Sequence, residues 1–238
     1  MDRYRLKIIA LTALVCLTGS SCTDDENNGQ GNNIIYGENI IGNGEQTFEI
    51  KDHQYLKRGT YLMKGWCYVT YGSTLTIEAG TVIKGDKETR AALIVEPGGK
   101  LIARGTVDAP IVFTSEMPAG KRKPGDWGGL ILYGYARNNE DIMQIEGGPR
   151  TMHGGPNNAD NSGVLSYVRV EFAGYPFKKN QEINGITFGS VGNGTQIDHL
   201  QVSYANDDAF EWFGGTVHAE YLVAYHCWDD DFKIDNGY

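Results

Sequence analysis

The sequence is poor in positive charge. Its 238 residues include 21 lysines and arginines against 30 aspartates and glutamates, which gives a formal net charge of −9. The longest basic run is Lys121–Lys123. Because binding of DNA or RNA requires a concentrated positive surface, we exclude nucleic acid as a partner. An acidic surface instead suits neutral glycans or cations.

Two further kinds of pattern are missing. Beyond the first 21 residues, no stretch has the 3.6-residue periodicity of an amphipathic helix. The sequence also lacks a phosphate-binding loop, a zinc-protease helix, a serine-hydrolase elbow and a Cys-x-x-Cys pair, which argues against nucleotide-driven and metalloprotease chemistry. The chain does contain 32 glycines, 14 tyrosines and many short runs of β-forming residues. This composition favours an all-β fold.

Residues 1–21 have the features of a bacterial lipoprotein signal peptide. Three basic residues precede an apolar stretch, 8–17, that is too short to span a bilayer as a helix. Small residues then lead directly into Cys22, an arrangement that resembles the bacterial lipobox and implies lipidation of Cys22. The alternative is an ordinary signal peptide cleaved near the same place. Acyl chains on Cys22 would make outer-membrane lipid a partner without any spanning helix.

Residues 22–46 are polar and rich in acidic residues, asparagine and glycine, as flexible tethers are. The stretch Thr23–Glu26 resembles the acidic export signal that surface lipoproteins of Bacteroidota carry next to the lipidated cysteine. We therefore expect an exported outer-membrane lipoprotein that is displayed on the cell surface.

Residues 47–238 repeat themselves loosely. Residues 73–80 align with 91–98 at an offset of 18, and each segment has two apolar residues spaced by two, then glutamate, then a turn glycine. Residues 199–210 align with 221–232 at an offset of 22. Short alternating strands that recur at such a period indicate a β-solenoid, in which each coil buries its inward face against the next.

Stacked coils should align similar residues in rows along the solenoid. The offset of 22 would place Leu200 over Leu222 and Phe210 over Phe232. We predict an all-β, right-handed parallel β-helix of about nine coils, each of 18–22 residues.

Two inserts interrupt the repeats, near residues 117–126 and 138–162. The first is basic and bounded by proline and glycine, and the second is rich in glycine, proline and asparagine. Loops of this length on a rigid scaffold often carry function. The sequence stops at Tyr238 without an obvious cap, and because solenoids need capped ends we expect a truncated C-terminus.

Three segments together carry a family resemblance. They are residues 125–134, 160–174 and 205–215, which follow one another in this order. Their motifs resemble those of a family of Bacteroidota surface lipoproteins with a right-handed β-helix, over about residues 60–238. The earlier segment 105–114 is similar to a coil found widely in bacterial β-helix surface proteins. The resemblance implies a fold and a location, but no particular reaction.

The strongest local signal is a pair of acidic turns one coil apart. Stacked carboxylates ~5 Å apart repel by roughly 3 kcal/mol at an effective dielectric of 20, so a compensating group is needed. A bound calcium ion would serve, because Ca²⁺ takes several carboxylate oxygens. The alternative is that the side chains accept hydrogen bonds from turn amides. The candidate calcium ligands are Asp207, Asp208, Asp229, Asp230 and Asp231.

A catalytic interpretation of the same turns is also open. Asp207, Asp208, Asp229 and Asp230 resemble the paired carboxylates on adjacent coils of polygalacturonase-type glycosidases, in which one acid protonates the leaving group. The resemblance is partial, because the Gly-His-Gly coil and the Arg-x-Lys element of those enzymes are missing here.

Single side chains give weaker signals. Trp127, Trp212 and Trp228 flank glycine-rich or acidic turns, so their rings could stack on sugars or could simply pack in the core. Cys67 and Cys227 lie about seven predicted coils apart, too far for a disulfide, and are expected as buried thiols.

Two functions follow from these features. We favour a non-enzymatic surface module that binds a glycan, mediates adhesion or serves as a structural rod, with calcium bracing the acidic turns. The alternative is a polysaccharide hydrolase or lyase that uses the aspartate cluster.

Overall fold

The computed structural model of the chain describes residues 39–145, 149–178 and 181–238. The predicted signal peptide, the lipidation site Cys22 and most of the predicted tether therefore lie outside the described residues. Over the described part, the chain forms strands joined by turns and loops. No helix there is long and apolar enough to cross a membrane.

The described coils form two large sheets, which we call A and B, and sheet B makes up one face of the solenoid. Its strands pair in parallel, and consecutive neighbours in the sheet come from consecutive coils. In sheet order, starting from the N-terminal coil, the strands are β2 (Phe48–Ile50), β5 (Trp66–Val69), β8 (Ala92–Val95), β11 (Gly129–Tyr133), β15 (Ile186–Val191), β17 (Phe210–Gly215) and β19 (Phe232–Asp235).

Sheet A supplies the other two faces of the solenoid. Its strands are β1 (Ile40–Ile41), β3 (His53–Leu56), β4 (Thr60–Met63), β6 (Thr74–Ile77), β7 (Val82–Gly85), β9 (Lys100–Arg104), β10 (Ile111–Ser115), β12 (Gly163–Glu171), β16 (Gln196–Ser203) and β18 (His218–Tyr225). The first half of β12 pairs with β9, and its second half pairs with β10. The long strands therefore serve both faces, which gives each coil three sides.

A sharp bend divides each long strand. Tyr167, His199 and Tyr221 have positive φ values of 49°, 50° and 55° in the middle of β12, β16 and β18. A left-handed residue at this point turns the chain from one face to the next, and such a conformation is uncommon for any residue other than glycine. The three bends are stacked one above the other, because the strands on both sides of them are paired in register.

The parallel β-helix predicted from the sequence is confirmed, and so are two of its rows. Leu200 pairs with Leu222 and Phe210 pairs with Phe232 in the register of the strands. The Phe210 and Phe232 rings stack with centroids 5.5 Å apart. These rows were predictable because no insertion interrupts the 22-residue coil that separates them.

The offset of 18 was wrong as a coil repeat. Strand β6 pairs with β9 at an offset of 26, and the second aligned segment instead contains β8, which belongs to sheet B. The alignment matched strands on two different faces, since every face has alternating apolar residues followed by a turn. The described residues place seven strands in sheet B, fewer than the predicted nine coils, because loops take up much of the chain.

Two loops and a hairpin interrupt the coils. Residues 116–128 join β10 to β11, and residues 134–162 join β11 to β12. An antiparallel hairpin of β13 (Pro176–Lys178) and β14 (Gln181–Glu182) precedes β15.

The long loop and the hairpin cover part of the outer surface of sheet B. Ile145 and Ile183 join outward residues of β5, β8 and β11 in a second apolar cluster outside the solenoid. Arg150 fixes the loop through ion pairs with Glu49, at 2.8 Å, and Glu96, at 3.1 Å. The main core lies inside the coils and extends along the whole described solenoid.

Cys67 and Cys227 are both free thiols, as predicted, but only Cys67 is a buried core residue. Cys227 was expected to be buried and is only partly buried, packed against the main core. Cys67 is fully buried, and burial raises the pKa of its thiol to about 12.

Replacement of Phe188 tests the inward rows. Its buried ring stacks on Trp212 with centroids 5.2 Å apart. We expect Phe188→Ala to lower the free energy of unfolding by about 3–5 kcal/mol, measured by urea denaturation, because it leaves a cavity inside the coils. Tyr71→Ala is the control, since Tyr71 is 76% exposed and its loss should cost about 0.5 kcal/mol or less. Equal losses in both variants would contradict the proposed packing.

Candidate functional site

The two acidic turns lie one above the other, at the corner where each coil enters sheet B. We call this set the acidic corner: Asp207 and Asp208 between β16 and β17, and Asp229, Asp230 and Asp231 between β18 and β19. The turns stay in the register of the adjoining strands, because the Ala209 amide donates to the Asp230 carbonyl at 2.9 Å. The corner is therefore built by the same coil-to-coil pairing as the sheets.

Asp208 has a structural role in the corner. Its carboxylate is fully buried, and its Oδ1 accepts a hydrogen bond from the Asp230 amide at 3.0 Å. This contact joins the two turns across the coil boundary. It is the type of turn hydrogen bond that aspartate commonly makes. By contrast, Asp229, Asp230 and Asp231 are exposed.

A lysine supplies positive charge to the buried acids. Lys233 Nζ lies 3.2 Å from Asp208 Oδ2 and 2.9 Å from Glu211 Oε1. Both carboxylates are buried, whereas the Lys233 side chain remains partly exposed. The ammonium therefore compensates for charge at the corner, a role that the sequence alone left to a calcium ion.

The electrostatics of this cluster are dominated by burial. Burial raises the pKa of Asp208, and it raises the pKa of Glu211 to about 7 although the Lys233 ammonium opposes that rise. Burial disfavours the charged form of Lys233, yet its hydrogen bond to Glu211 and the nearby negative charges raise its pKa. Near neutral pH, the Glu211 carboxyl is thus poised to gain or lose a proton.

Buried polar groups extend the cluster toward the preceding coil. Asn184 Nδ2 donates to Glu211 Oε2 and, at 3.1 Å, to Thr187 Oγ1. Asn184 Oδ1 is buried and accepts no hydrogen bond within the described structure. Unsatisfied buried oxygens are costly, so this oxygen is available to a donor that enters the cluster.

Three carboxylates of the corner have a geometry that suits a cation. Oxygen atoms of Asp207, Asp208 and Asp229 all lie within 4.8 Å of one another. Calcium prefers six to eight oxygen ligands, which carboxylates, carbonyls and water supply. The residues thus fit a calcium ion in type and spacing, although Lys233 already engages one oxygen of Asp208. Asp230 and Asp231 lie beside this set without joining it.

The tryptophans divide into two buried rings and one exposed ring. Trp127 is fully buried, and its indole N–H donates to the Glu171 carbonyl at 2.8 Å. Trp212 is buried within the rows of the core. These two rings have no surface to offer a sugar. Trp228 is 74% exposed and directly precedes the acidic turn that begins at Asp229.

Glu211 and Lys233 were missed at the level of the sequence. They pair directly across β17 and β19, at the same offset of 22 that aligned the acidic turns. A search of that alignment for opposite charges at matched positions would have found them. The burial of Glu211 was not predictable, because its buried partner Asn184 lies in the preceding coil, outside the aligned segments.

The pKa of Glu211 leads to a prediction about stability. A carboxyl whose pKa is higher in the folded than in the unfolded protein stabilises the fold below its unfolded pKa, and that stabilisation is lost as the pH rises through the folded value. The unfolded value is 4.5 and the folded value about 7. We therefore expect the free energy of unfolding of the wild type, relative to Glu211→Gln, to fall between pH 5 and pH 8.

Chemical denaturation at both pH values measures this difference. A matched control is Glu140→Gln, which removes an exposed carboxyl on the long loop. A difference between wild type and Glu211→Gln that is the same at pH 5 and pH 8 would contradict the assignment.

Comparison with known proteins supports the architecture. No solved structure gives a significant match to the chain. A family model described as a pectate-lyase-like beta-helix domain matches residues 48–238, which is most of the chain and includes the acidic corner and every strand from β2 to β19. The chain therefore belongs to the family of pectate-lyase-like β-helix domains.

Proposed function

We propose that the protein is a non-enzymatic module that binds a glycan at the acidic corner. The observation that carries this proposal is the position of Trp228, an exposed residue that directly precedes three exposed aspartates in the chain. An aromatic ring can stack on the apolar face of a sugar, and carboxylates accept hydrogen bonds from sugar hydroxyls. Family membership is compatible with this role and equally with a polysaccharide-degrading enzyme.

The placement of the acids favours binding over catalysis. Glycoside hydrolysis requires two carboxyl groups that flank the scissile bond, one as acid and one as base or nucleophile. Two acids near the corner have raised pKa values, Asp208 and Glu211, and both are buried and paired with Lys233. A sugar at the surface would instead meet Asp229, Asp230 and Asp231, which are exposed to solvent.

Attachment to a membrane forms part of the proposal. The sequence resemblance to lipoproteins would give Cys22 an acyl anchor, and the stretch between Cys22 and β1 would act as a tether between membrane and solenoid. The predicted tether was drawn too long at its C-terminal end, because Ile40 and Ile41 already pair with β4. The glycan would then be captured at the cell surface, with outer-membrane lipid as the second partner.

We include a calcium ion held by Asp207, Asp208 and Asp229 in the proposal. The ion would neutralise the stacked carboxylates and leave further coordination positions for sugar oxygens. Asp230 and Asp231 would lie at the edge of the site.

Thermal melting tests the calcium site. We expect 1 mM CaCl₂ to raise the melting temperature by about 2 °C or more, because an ion that binds only the folded state stabilises it. Asp229→Asn should abolish this shift, whereas Asp108→Asn, which removes an exposed carboxylate on a distant loop, should preserve it. An unchanged melting temperature of the wild type would refute the calcium site.

Replacement of Trp228 tests the glycan site. We expect the mature domain to be retarded by one or more polysaccharides in affinity gels, and Trp228→Ala to weaken that binding about tenfold, the equivalent of about 1.4 kcal/mol. Tyr71→Ala removes an equally exposed ring elsewhere and should bind as the wild type does. Failure of the wild type to bind any member of a broad panel would overturn the proposed function.

One observation favours the enzymatic alternative. A carboxyl with a pKa of about 7, as for Glu211, can donate and accept protons at neutral pH. If Lys233 moved aside, Glu211 and Asp208 would become a pair of acids. Release of soluble products from a polysaccharide, abolished in Glu211→Gln and in Asp208→Asn while both variants stay folded, would establish an enzyme in place of a binding module.

A further inference from the structure

A groove on sheet A, away from the acidic corner, has the features of a second binding site. It follows the bends of β12, β16 and β18 and has a volume of about 490 Å³, a size typical of small-molecule sites. One side is formed by the loop after β9. Its lining residues include Thr106, Val107, Pro110, Arg169, Gln201 and the three residues at the bends.

The rings at the bends form a continuous stack. Tyr167 and His199 have centroids 4.3 Å apart, and His199 and Tyr221 have centroids 4.5 Å apart. Stacking covers both faces of the His199 ring and one face of Tyr221, so between the stacked rings the groove meets their edges. Tyrosine and histidine edges carry hydroxyl and ring-nitrogen groups, which can exchange hydrogen bonds with a polar ligand.

The charges at the groove are already paired. Arg169 Nη2 lies 2.7 Å from Glu171 Oε1, and His199 Nδ1 lies 2.9 Å from Asp198 Oδ1. None of the described residues that line the groove is an aspartate or glutamate. A ligand therefore meets no unpaired charge, yet arginine has five N–H donors and keeps several of them free for uncharged oxygens.

Apolar side chains complete the groove. Val107 and Val223 are exposed, and Pro110 lies beside Val107 on the loop. A ligand that suits this surface has apolar C–H patches together with many uncharged hydroxyl groups. Neutral sugars combine these two properties, whereas a uronate chain would bring a carboxylate with no free cation to receive it.

We propose that this groove binds a short segment of a neutral glycan. The inference rests on the proposed function, since it assumes that the domain recognises glycans, and it adds a second site and a ligand class. The acidic corner and the groove lie at different corners of the coil, so a glycan can occupy either site while the other stays empty.

Two variants test the groove without disturbing the ring stack. Val107→Trp places a large side chain in the groove from an exposed loop position, and Arg169→Ala removes its main set of N–H donors. Arg104→Ala is the matched control, because Arg104 is an exposed arginine of β9 outside the groove lining. The probes are β-glucan, xylan and galactomannan as neutral polymers and polygalacturonate as an acidic one. Affinity-gel retardation is measured, and urea denaturation confirms folding.

We expect binding to at least one neutral polymer to weaken about tenfold or more in Val107→Trp and Arg169→Ala, and to be unchanged in Arg104→Ala. Neutral-polymer binding that survives both groove variants but is lost in Trp228→Ala would overturn the groove and leave the proposed function standing. Binding of polygalacturonate alone would overturn the ligand class. Absence of binding by the wild type to all four polymers would overturn both.

Discussion

Parallel backbone pairing between coils is the constraint on which the rest of the structure depends. Each coil hydrogen-bonds to the next at strand spacing, so a residue at one position lies directly over its counterpart one coil away. Apolar residues benefit, as the stacked rings of Phe210 and Phe232 show. Charged residues do not, because like charges at that spacing repel. The alignment that builds the core therefore also determines which polar residues the protein must neutralise.

The protein meets this demand in two ways. Next to the buried Asp208 of the acidic corner, Glu211 in β17 lies over Lys233 in β19, so opposite charges share one row. The Lys233 ammonium also contacts Asp208. At the exposed end, Asp229, Asp230 and Asp231 face water, where a high dielectric weakens their repulsion. A glycan can bind at the exposed end at low cost, since it need not displace an ion pair that supports the fold.

Regularity decided what could be predicted from the sequence. The pairing of Leu200 with Leu222 was predictable because β16 and β18 are separated by one coil without an insert. The 18-residue offset gave a wrong coil length, since alternating apolar residues followed by a turn recur on every face. The groove was beyond prediction for a different reason. Tyr167 lies 32 residues before His199, a gap that includes the hairpin, and neither residue type signals the left-handed bend that both adopt.

The bends show how a repeated backbone conformation can create a binding groove. A left-handed residue with a side chain is disfavoured, and this bend repeats that disadvantage in three successive coils. Rings at these positions recover stability by stacking, and Tyr167, His199 and Tyr221 do so at 4.3 and 4.5 Å. Because stacking covers the ring faces that meet, the edges of the stacked rings are left for the surface along the row. A row of hydroxyl and imidazole edges beside apolar loop residues is then a consequence of how the solenoid turns its corner, and it gives the groove its preference for an uncharged, hydroxyl-rich ligand.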